Sequence, residues 1–319
     1  MFVDKLIKKI IEKNNPTIVG LDPKVEYVPS FIKENAFKEY GRNLKGAAEA
    51  ILAFNKAIID AIYDVVPAVK PQIAYYEMYG IEGIRVFYET IQYARSKDLL
   101  VVADGKRNDI GSTAEAYSSA FLGKTSIDGT VSETVFDVDA LTVNLYLGYD
   151  GIKPFIEDCK KYGKGIFLLV KTSNKSSGQI QDLLTHQGKS IYEVVAEHIE
   201  EWGECIRGEF GYSSVGAVVG ATYPNQAKIL RKIMKHAYLL VPGYGAQGGT
   251  SRDVVHCFNS DGLGAIVNAS RSVICAYQNS KWNGIYSEKD FAQAARAEVL
   301  EMKEQINNAI CEERERRCM

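Results

Sequence analysis

The stretch VVADGKRNDIGST, residues 101–113, joins a buried strand to a row of charged residues. Its apolar start is typical of a β-strand in a protein core, yet Asp104, Lys106, Arg107 and Asp109 follow in close succession. Because side chains alternate along a strand, Asp104 and Lys106 share one face. An Asp and a Lys on the same face can neutralise each other, so the stretch predicts a strand that ends in a polar site.

Seven further runs of apolar and β-branched residues resemble the start of this stretch. They are TIVGL at 17–21, VPAVK at 66–70, ALTVNL at 140–145, GIFLLVK at 165–171, VGAVVGA at 215–221, AYLLVPG at 237–243 and LGAIVNAS at 263–270. Between the runs, apolar residues recur at helical spacing, as in residues 44–66, 81–98, 190–206 and 225–237. Continuous apolar strands separated by helices are typical of a parallel sheet that is covered on both faces.

Eight strands suit a closed barrel, so the sequence predicts an α/β protein, a single-domain (β/α)8 (TIM) barrel covering residues 1–319. We expect an N-terminal helix at about residues 1–14 and a C-terminal helix at about residues 288–317. An open doubly wound sheet is the alternative, but the first strand is not followed by G-x-G-x-x-G, the motif of its dinucleotide-binding version. Extra length lies after the first, third and fifth strands, where we expect strand-to-helix connections on the catalytic face.

Composition and charge argue against several classes of protein. The 319 residues carry a formal net charge of -2 and no long basic tract, which argues against a nucleic-acid-binding protein. No window approaches 18 consecutive apolar residues, and the N-terminal segment is a charged amphipathic helix unlike a secretory signal, so we expect a cytoplasmic protein without membrane contact. The six cysteines and four histidines lack metal-ligand spacing, so no metal site is predicted.

Charged residues also follow the first and second predicted strands. Asp22 comes directly after the first strand, and Lys70 ends the second. In a parallel barrel the interior is apolar, and polar residues gather where the C-terminal ends of the strands meet the mouth. We therefore expect Asp22 and Lys70 at the same rim as the Asp104–Lys106 pair.

The segments after the seventh and eighth predicted strands are suited to hold phosphate. VPGYGAQGGTS at 241–251 is rich in glycine, and VNASRSVI at 267–274 begins a short helix and contains Arg271. Barrel enzymes frequently bind phosphate at these two loops. Glycines let backbone N–H groups approach an anion, and a guanidinium can bind phosphate through two hydrogen bonds. The sequence therefore predicts a small phosphorylated substrate whose reactive end faces the Asp and Lys residues.

Taken together, these motifs resemble the orotidine 5'-phosphate decarboxylase family. The family signature D-x-K-x-x-D-I, followed shortly by Thr, matches Asp104 to Ile110 and then Thr113. Asp22, Lys70 and the segments VKTSN at 170–174, VVGATYP at 218–224, PGYGAQGG at 242–249 and NASR at 268–271 extend the match. The resemblance spans about residues 17–277 and is closer to the longer subfamily than to the short one.

The resemblance implies a cofactor-free enzyme that converts orotidine 5'-phosphate to uridine 5'-phosphate (UMP) and CO2 in pyrimidine biosynthesis, and that forms a homodimer with shared active sites. The implied catalytic residues are Lys106, Asp104, Lys70 and, from the partner subunit, Asp109. Lys106 would stabilise and protonate a carbanion at C6 of the pyrimidine. The implied substrate-binding residues are Asp22, Thr172, Ser173, Pro242, Gln247, Ser270 and Arg271, with Ile110 and Thr113 from the partner subunit.

Two other functions stay open at this point. The first is a metal-dependent sugar-phosphate decarboxylase or aldolase on the same barrel, which shares D-x-K-x-x-D. In those proteins the residue at the second-strand position resembles Glu rather than Lys, so Lys70 favours the nucleotide enzyme. The second is a non-catalytic phosphate-binding barrel, which the intact set of charged residues disfavours. The sequence assigns no role to Arg107 or Gln72.

Overall fold

The computed structural model describes residues 1–318, with side-chain surroundings through residue 316. Eight parallel strands form a closed barrel in which each strand pairs with its neighbours along the chain. They are β1 (Thr17–Leu21), β2 (Ala68–Pro71), β3 (Leu100–Arg107), β4 (Ala140–Val143), β5 (Gly165–Lys171), β6 (Ser213–Val219), β7 (Ala237–Val241) and β8 (Ala265–Ala269). The predicted (β/α)8 barrel is confirmed, and the open doubly wound sheet is excluded.

Helices surround the barrel and close one of its ends. In the described part of the chain they are α1 (Phe2–Lys13), α2 (Ser30–Tyr40), α3 (Leu44–Ile62), α4 (Ala74–Glu77), α5 (Gly80–Ser96), α6 (Gly111–Phe121), α7 (Tyr149–Tyr162), α8 (Gly178–Gln181), α9 (Ile191–Gly203), α10 (Pro224–Ile233), α11 (Ser251–Val254), α12 (Arg271–Ile274) and α13 (Phe291–Cys318). The helix predicted from about residue 288 begins with a 3-10 turn, Glu288–Asp290, that leads into α13. None of these helices is long and apolar enough to cross a membrane.

Because side chains point alternately to the two faces of each strand, the apolar core has two layers. The barrel interior contains Ile18, Ala68, Val102, Phe167, Leu240 and Ile266, whereas the residues next to them in sequence, such as Val19 and Val69, pack under the outer helices. Helix α1 closes the N-terminal end of the barrel, where the ring of Phe2 meets Phe167 edge to face at a centroid distance of 6.0 Å. With that end filled by apolar side chains, polar residues are left to the opposite, C-terminal end.

The extra length lies partly where the sequence predicts it. Helix α2 follows β1 and helix α8 follows β5, and both are strand-to-helix connections. The expectation for the third strand is wrong, because β3 reaches α6 within a few residues. The insertion there is a short antiparallel hairpin, Thr125–Ser126 with Ser132–Glu133, that comes after α6 and before β4.

Candidate active site

A cavity of about 710 Å³ opens at the C-terminal ends of the strands. Every site residue predicted on this chain lines it, namely Asp22, Lys70, Asp104, Lys106, Thr172, Ser173, Pro242, Gln247, Ser270 and Arg271. Gln72, Thr142 and Asn268 also line the cavity, although the sequence assigns none of them a role. The structure therefore brings the charged ends of β1, β2 and β3 to one rim, as their places in the sequence predict.

Asp104 lies at the centre of a compact charged cluster. One carboxylate oxygen is 2.6 Å from Lys70 Nζ, and the other is 2.6 Å from Lys106 Nζ. The Thr142 hydroxyl donates to Asp104 at 2.9 Å and accepts from the Lys106 backbone N–H at 3.0 Å. The Lys70 side chain is 4% exposed and the Lys106 side chain 45% exposed. Lys70 is therefore a buried counterion, whereas Lys106 presents its ammonium to the cavity.

The protonation of the cluster follows from competition between burial and charge. Burial would raise the pKa of the Asp104 carboxyl, but the Lys70 and Lys106 ammonium groups outweigh burial and hold that pKa well below its usual range. Burial would also lower the pKa of Lys70, but Asp104 and Asp22 raise it above its usual value. Asp104 is therefore a carboxylate and Lys70 an ammonium at neutral pH.

The backbone at Lys106 adopts a conformation that a residue with a side chain rarely takes. Its φ is 46°, in the left-handed region, and the pairing of β3 with β4 shifts register between Ala103 and Arg107. Such a conformation costs about 1–3 kcal/mol and is found most often at functional sites. The hydrogen bond from the Lys106 N–H to Thr142 holds this conformation in place. The strand thus ends in a strained turn at the lysine that faces the cavity.

Asp22 occupies a less polar position beside the cluster. Burial raises the pKa of its carboxyl, although Lys70 and the nearby Ser270 hydroxyl act in the opposite direction. One of its oxygens, Oδ1, is buried and has no hydrogen-bond partner. An ionised Asp22 can therefore accept a further hydrogen bond, so it suits a ligand hydroxyl.

The glycine-rich loop after β7 forms the opposite wall of the cavity. Gly243, Gly245 and Gly248 have φ values of 98°, 71° and 95°, which favour glycine strongly over residues with a Cβ. A Cβ at Gly249 would lie 2.6 Å from the Ala221 Cβ, so this position also needs glycine. Arg271 lines the cavity beside the loop, because it follows the neighbouring strand β8 and a Cβ at Gly245 would lie 3.1 Å from the Ser272 Oγ. None of the ion pairs found in the described residues involves Arg271. Its guanidinium is thus available to a ligand anion.

The segment after β5 is held by its own side chains. The Thr172 N–H donates to Gln181 Oε1 at 3.0 Å, and Gln181 Nε2 donates to the Thr172 hydroxyl at 2.9 Å. The Ser173 carbonyl accepts from the Thr222 hydroxyl at 3.2 Å. A Cβ at Gly220 would lie 2.8 Å from the Ser173 Cα, so glycine lets β6 approach this segment closely. Thr172 is thus engaged within the loop, and Ser173 is the residue held against the cavity.

Lys171 anchors the same segment, and the sequence reading missed it. Its side chain is fully buried, with Nζ 2.5 Å from Asp182 Oδ1 and 4.5 Å from the centre of the Tyr223 ring. Tyr223 in turn donates from its hydroxyl to the Asn174 carbonyl at 3.2 Å. Lys171 ends an apolar strand as Lys70 does, and that signal could have identified it.

The three residues assigned to the partner subunit do not line the cavity of their own chain. Asp109 accepts from the Ile110 N–H at 2.7 Å, Ile110 is 56% exposed, and Thr113 is exposed on α6. Their contribution to a second subunit stays a prediction. Arg107 instead has a structural role, because its guanidinium lies 2.6 Å from Glu77.

The role of Gln72 is partly structural, because its Oε1 accepts from the Ala74 N–H at 3.2 Å. Within residues 1–318, no three His, Cys, Asp or Glu side chains are close enough together to hold a metal ion.

The closed barrel and the lysine–aspartate cluster at the C-terminal ends of its strands define the class of protein, a TIM-barrel enzyme. Residues 17–281 match the model of the orotidine 5'-phosphate decarboxylase / HUMPS family. The chain belongs to this family.

Relatives named orotidine 5'-phosphate decarboxylase align with nearly the whole chain. The relative from Caldicellulosiruptor saccharolyticus is 43% identical over 309 residues, which cover 97% of this chain and 99% of the relative. The relative from Rhodopirellula baltica is 42% identical over 305 residues, covering 96% and 98%.

Solved structures show the same similarity at lower sequence identity. Leishmania donovani OMP decarboxylase is 27% identical with a TM-score of 0.70, and the match covers 97% of this chain and 98% of that one. Leishmania donovani UMP synthase is 29% identical with a TM-score of 0.72, but the match covers only 56% of that longer chain while covering 97% of this one. The similarity is thus to one part of the UMP synthase.

Proposed function

We infer that the protein catalyses the decarboxylation of orotidine 5'-phosphate to UMP and CO2 in pyrimidine biosynthesis, and is thus a carboxy-lyase. The observation that carries this inference is the Lys70–Asp104–Lys106 cluster at a cavity wide enough for a nucleotide. Family membership and relatives of about the same length support the same reaction. The proposed enzyme acts in the cytoplasm as a single catalytic domain.

The cavity offers a distinct place for each part of the nucleotide. Arg271 and Gln247, with Pro242 at the start of the glycine-rich loop, bind the phosphate. Asp22 and Ser270 lie near the charged cluster and bind the ribose hydroxyls, together with Lys70. The segment anchored by Lys171, which includes Thr172 and Ser173, binds the edge of the pyrimidine. These roles are supported by the cavity lining and by the unengaged groups of Arg271 and Asp22.

The chemistry requires stabilisation of a carbanion at C6 of the pyrimidine. Lys106 is suited to this because its ammonium faces the cavity and is held by Asp104. An ammonium about 4 Å from the developing charge, at an effective dielectric near 20, contributes about 4 kcal/mol. Demanding enzymatic reactions require barrier reductions of up to about 23 kcal/mol. Lys106 then donates its proton to C6 as general acid, but other groups must supply the rest of the stabilisation.

Two further contributions are available from this site. Asp104 close to the substrate carboxylate disfavours the bound substrate, and this repulsion disappears when neutral CO2 forms. Binding of the distant phosphate by Arg271 and the glycine-rich loop supplies energy that orders the cluster and expels water. The second contribution is the better supported in our proposal, because the energy of phosphate binding can offset the cost of closing the loop, expelling water and ordering the charged cluster.

We also propose a homodimer in which Asp109, Ile110 and Thr113 complete the active site of the partner subunit. The support is an apolar surface around this segment: Ile110 is 56%, Tyr146 82% and Leu147 47% exposed. Leu147 lies close to Asp109, because a Cβ at Gly151 would lie 2.7 Å from the Asp109 carbonyl oxygen and 3.6 Å from the Leu147 Cβ. Several large apolar side chains exposed around one segment are typical of an interface.

A mixing experiment tests the shared site. Lys106→Ala and Asp109→Ala chains are each inactive in this proposal, but a heterodimer keeps one site with both residues. After subunit exchange, random mixing should restore about a quarter of wild-type activity. The matched control mixes Lys106→Ala with Asp104→Ala, whose heterodimers have no complete site. Absence of recovery in the first mixture after confirmed exchange would refute the shared site.

The reaction itself is tested with purified protein, orotidine 5'-phosphate and a metal chelator. We expect CO2 release that is unchanged by the chelator. Loss of activity with the chelator, and its return with a divalent cation, would favour the metal-dependent alternative. Any turnover would exclude a non-catalytic phosphate-binding barrel, and absence of turnover would refute the proposed reaction.

A further inference from the structure

Asn268 is a buried amide at the floor of the cavity that the reaction scheme above does not use. It lies on β8 and alternates with Ile266 in the barrel interior, so its side chain shares a face with Ser270. Its side chain is among the cavity-lining groups, and the residue is only 5% exposed. The Asn268 Nδ2 donates to the Ser270 hydroxyl oxygen at 3.3 Å, while its Oδ1 is buried without a partner. A buried amide that is half satisfied costs stability, which calls for an explanation.

The glycine at position 20 makes room for this arrangement. A Cβ at Gly20 would lie 1.9 Å from Ser270 Oγ and 3.1 Å from Asn268 Oδ1. Any other residue would displace the hydroxyl and crowd the amide. Gly20 lies on β1 and Asp22 directly follows that strand, so the same segment supplies both the space and the carboxylate.

The hydrogen bond from Asn268 determines which way the Ser270 hydroxyl proton can point. A serine hydroxyl has a single proton, and Ser270 Oγ already accepts from Asn268, so its proton is free to point elsewhere. The Ser270 hydroxyl lies beside β1, because a Cβ at Gly20 would be 1.9 Å from its Oγ, and Asp22 follows two positions later on the same face of the chain. The hydroxyl favours the charged form of the Asp22 carboxyl and so acts to lower its pKa. The bond from the Asn268 amide thus leaves the Ser270 proton for a neighbouring acceptor, and the Asp22 carboxylate is the anion on that side of the cavity.

We propose that Asn268 is a positioning residue that sets the recognition of ribose hydroxyls by orienting Ser270 and, through it, Asp22. This rests on the proposed function, in which Asp22 binds the ribose. With the Ser270 proton directed at one side of Asp22, the remaining lone pairs of the carboxylate accept from the sugar. Without the Asn268 amide, the Ser270 hydroxyl rotates freely and competes with the sugar hydroxyls as a donor to the lone pairs of the Asp22 carboxylate.

The test compares two ligands that differ only at the sugar. Affinities for UMP and for 2',3'-dideoxyuridine 5'-phosphate are measured by calorimetry in wild type and in Asn268→Ala. The wild type should prefer UMP. In Asn268→Ala the preference should fall by about tenfold, the loss expected for one hydrogen bond to a charged group, while affinity for the dideoxy ligand stays the same. Ser270→Ala, at a position less deeply buried, should give a similar loss and guards against misfolding of the first variant.

Two controls separate positioning from general loss of structure. Asn15→Ala removes another buried amide, which donates to the Val65 carbonyl at 2.8 Å beneath the N-terminal end of the barrel. It should lower stability without changing the preference for UMP. In an Asp22→Asn background, Asn268→Ala should have no further effect on the preference, because its action passes through Asp22.

Results that would overturn the positioning role of Asn268 differ from results that would refute the proposed reaction. Equal loss of affinity for both ligands in Asn268→Ala, or an unchanged ratio, would overturn the positioning role. A wild type that binds UMP and turns over substrate but does not distinguish the dideoxy ligand would overturn it as well, and would leave the proposed reaction intact. A wild type that binds neither ligand would refute the proposed function itself.

Discussion

Replacing Asp104 by asparagine is expected to destabilise the protein by about 3–5 kcal/mol, because this carboxylate is the shared counterion of two lysines. Its oxygens lie 2.6 Å from Lys70 Nζ and from Lys106 Nζ, and the Lys70 side chain is only 4% exposed. Asparagine preserves the shape of the side chain but removes its charge. The buried Lys70 ammonium would then keep only Asp22 as a nearby anion.

Proton release sets an upper bound on this loss. Lys70 can become neutral instead of remaining charged, and at pH 7 deprotonating a lysine of ordinary pKa, about 10.4, costs about 5 kcal/mol. The pH dependence has a definite sign, because the pKa of Asp104 is lowered in the folded protein. Its stabilisation is complete above the ordinary carboxyl pKa of about 4 and is lost only as the pH falls toward the lowered value.

Urea denaturation at pH 7, followed by circular dichroism, measures the effect. The matched control is Asp98→Asn, because Asp98 Oδ2 also lies 2.6 Å from a lysine, Lys9 Nζ, but the Asp98 side chain is 93% exposed. Asparagine tolerates the left-handed backbone of this position, where φ is 59°. An exposed pair contributes about 0–1 kcal/mol. A loss in Asp104→Asn no larger than that in Asp98→Asn would refute the reasoning that burial makes this ion pair important.

Three further predictions concern single groups of the site. Lys106→Ala should lose nearly all CO2 release, and retention of a tenth of wild-type kcat would contradict this. Because φ at this residue is 46°, the free energy of unfolding in urea should be about 1 kcal/mol higher for Lys106→Gly than for Lys106→Ala. Equal stabilities of the two variants would contradict that expectation. Arg271→Ala should weaken binding of UMP but not of uridine in calorimetry, and equal UMP affinity in mutant and wild type would argue against its phosphate role. Because burial raises the pKa of Asp22, its protonation should weaken UMP binding at a pH above the ordinary carboxyl pKa of about 4. Asp22→Asn should keep only the fall in affinity that comes from protonation of the UMP phosphate, whose second pKa is about 6.

Much of the site follows from the sequence because the barrel converts position along a strand into position in space. Once β1, β2 and β3 are recognised as parallel neighbours, the charged residues at their ends must meet at one rim, and alternation decides which of them face inward. This is why Asp22, Lys70 and Asp104 could be placed together without any coordinates. The apolar runs also gave the strand positions to within a few residues.

The remaining features depend on contacts between segments that no local pattern reveals. The burial of Lys171 requires Asp182 and Tyr223, which come from two other loops. The role of Thr142 depends on its distance from Asp104 across two strands. Similarly, the hairpin after α6 could not be distinguished from a strand-to-helix insertion by composition alone. The contribution of Asp109, Ile110 and Thr113 to a partner subunit stays a prediction, because it depends on a contact between two chains and not on the order of strands within one.

The anchoring of Arg107 has a consequence for how variants of this protein would combine in a cell. Arg107 pairs with Glu77 and lies over the ring of Tyr117, so the chain after it leaves the barrel from a fixed point. In the proposed dimer, Asp104 and Lys106, which precede this anchor, serve their own subunit, whereas Asp109, Ile110 and Thr113, which follow it directly, serve the other. Alleles that alter Arg107 should therefore behave like Asp109 alleles and rescue growth when paired with a Lys106 allele, although Arg107 and Lys106 are adjacent in the sequence.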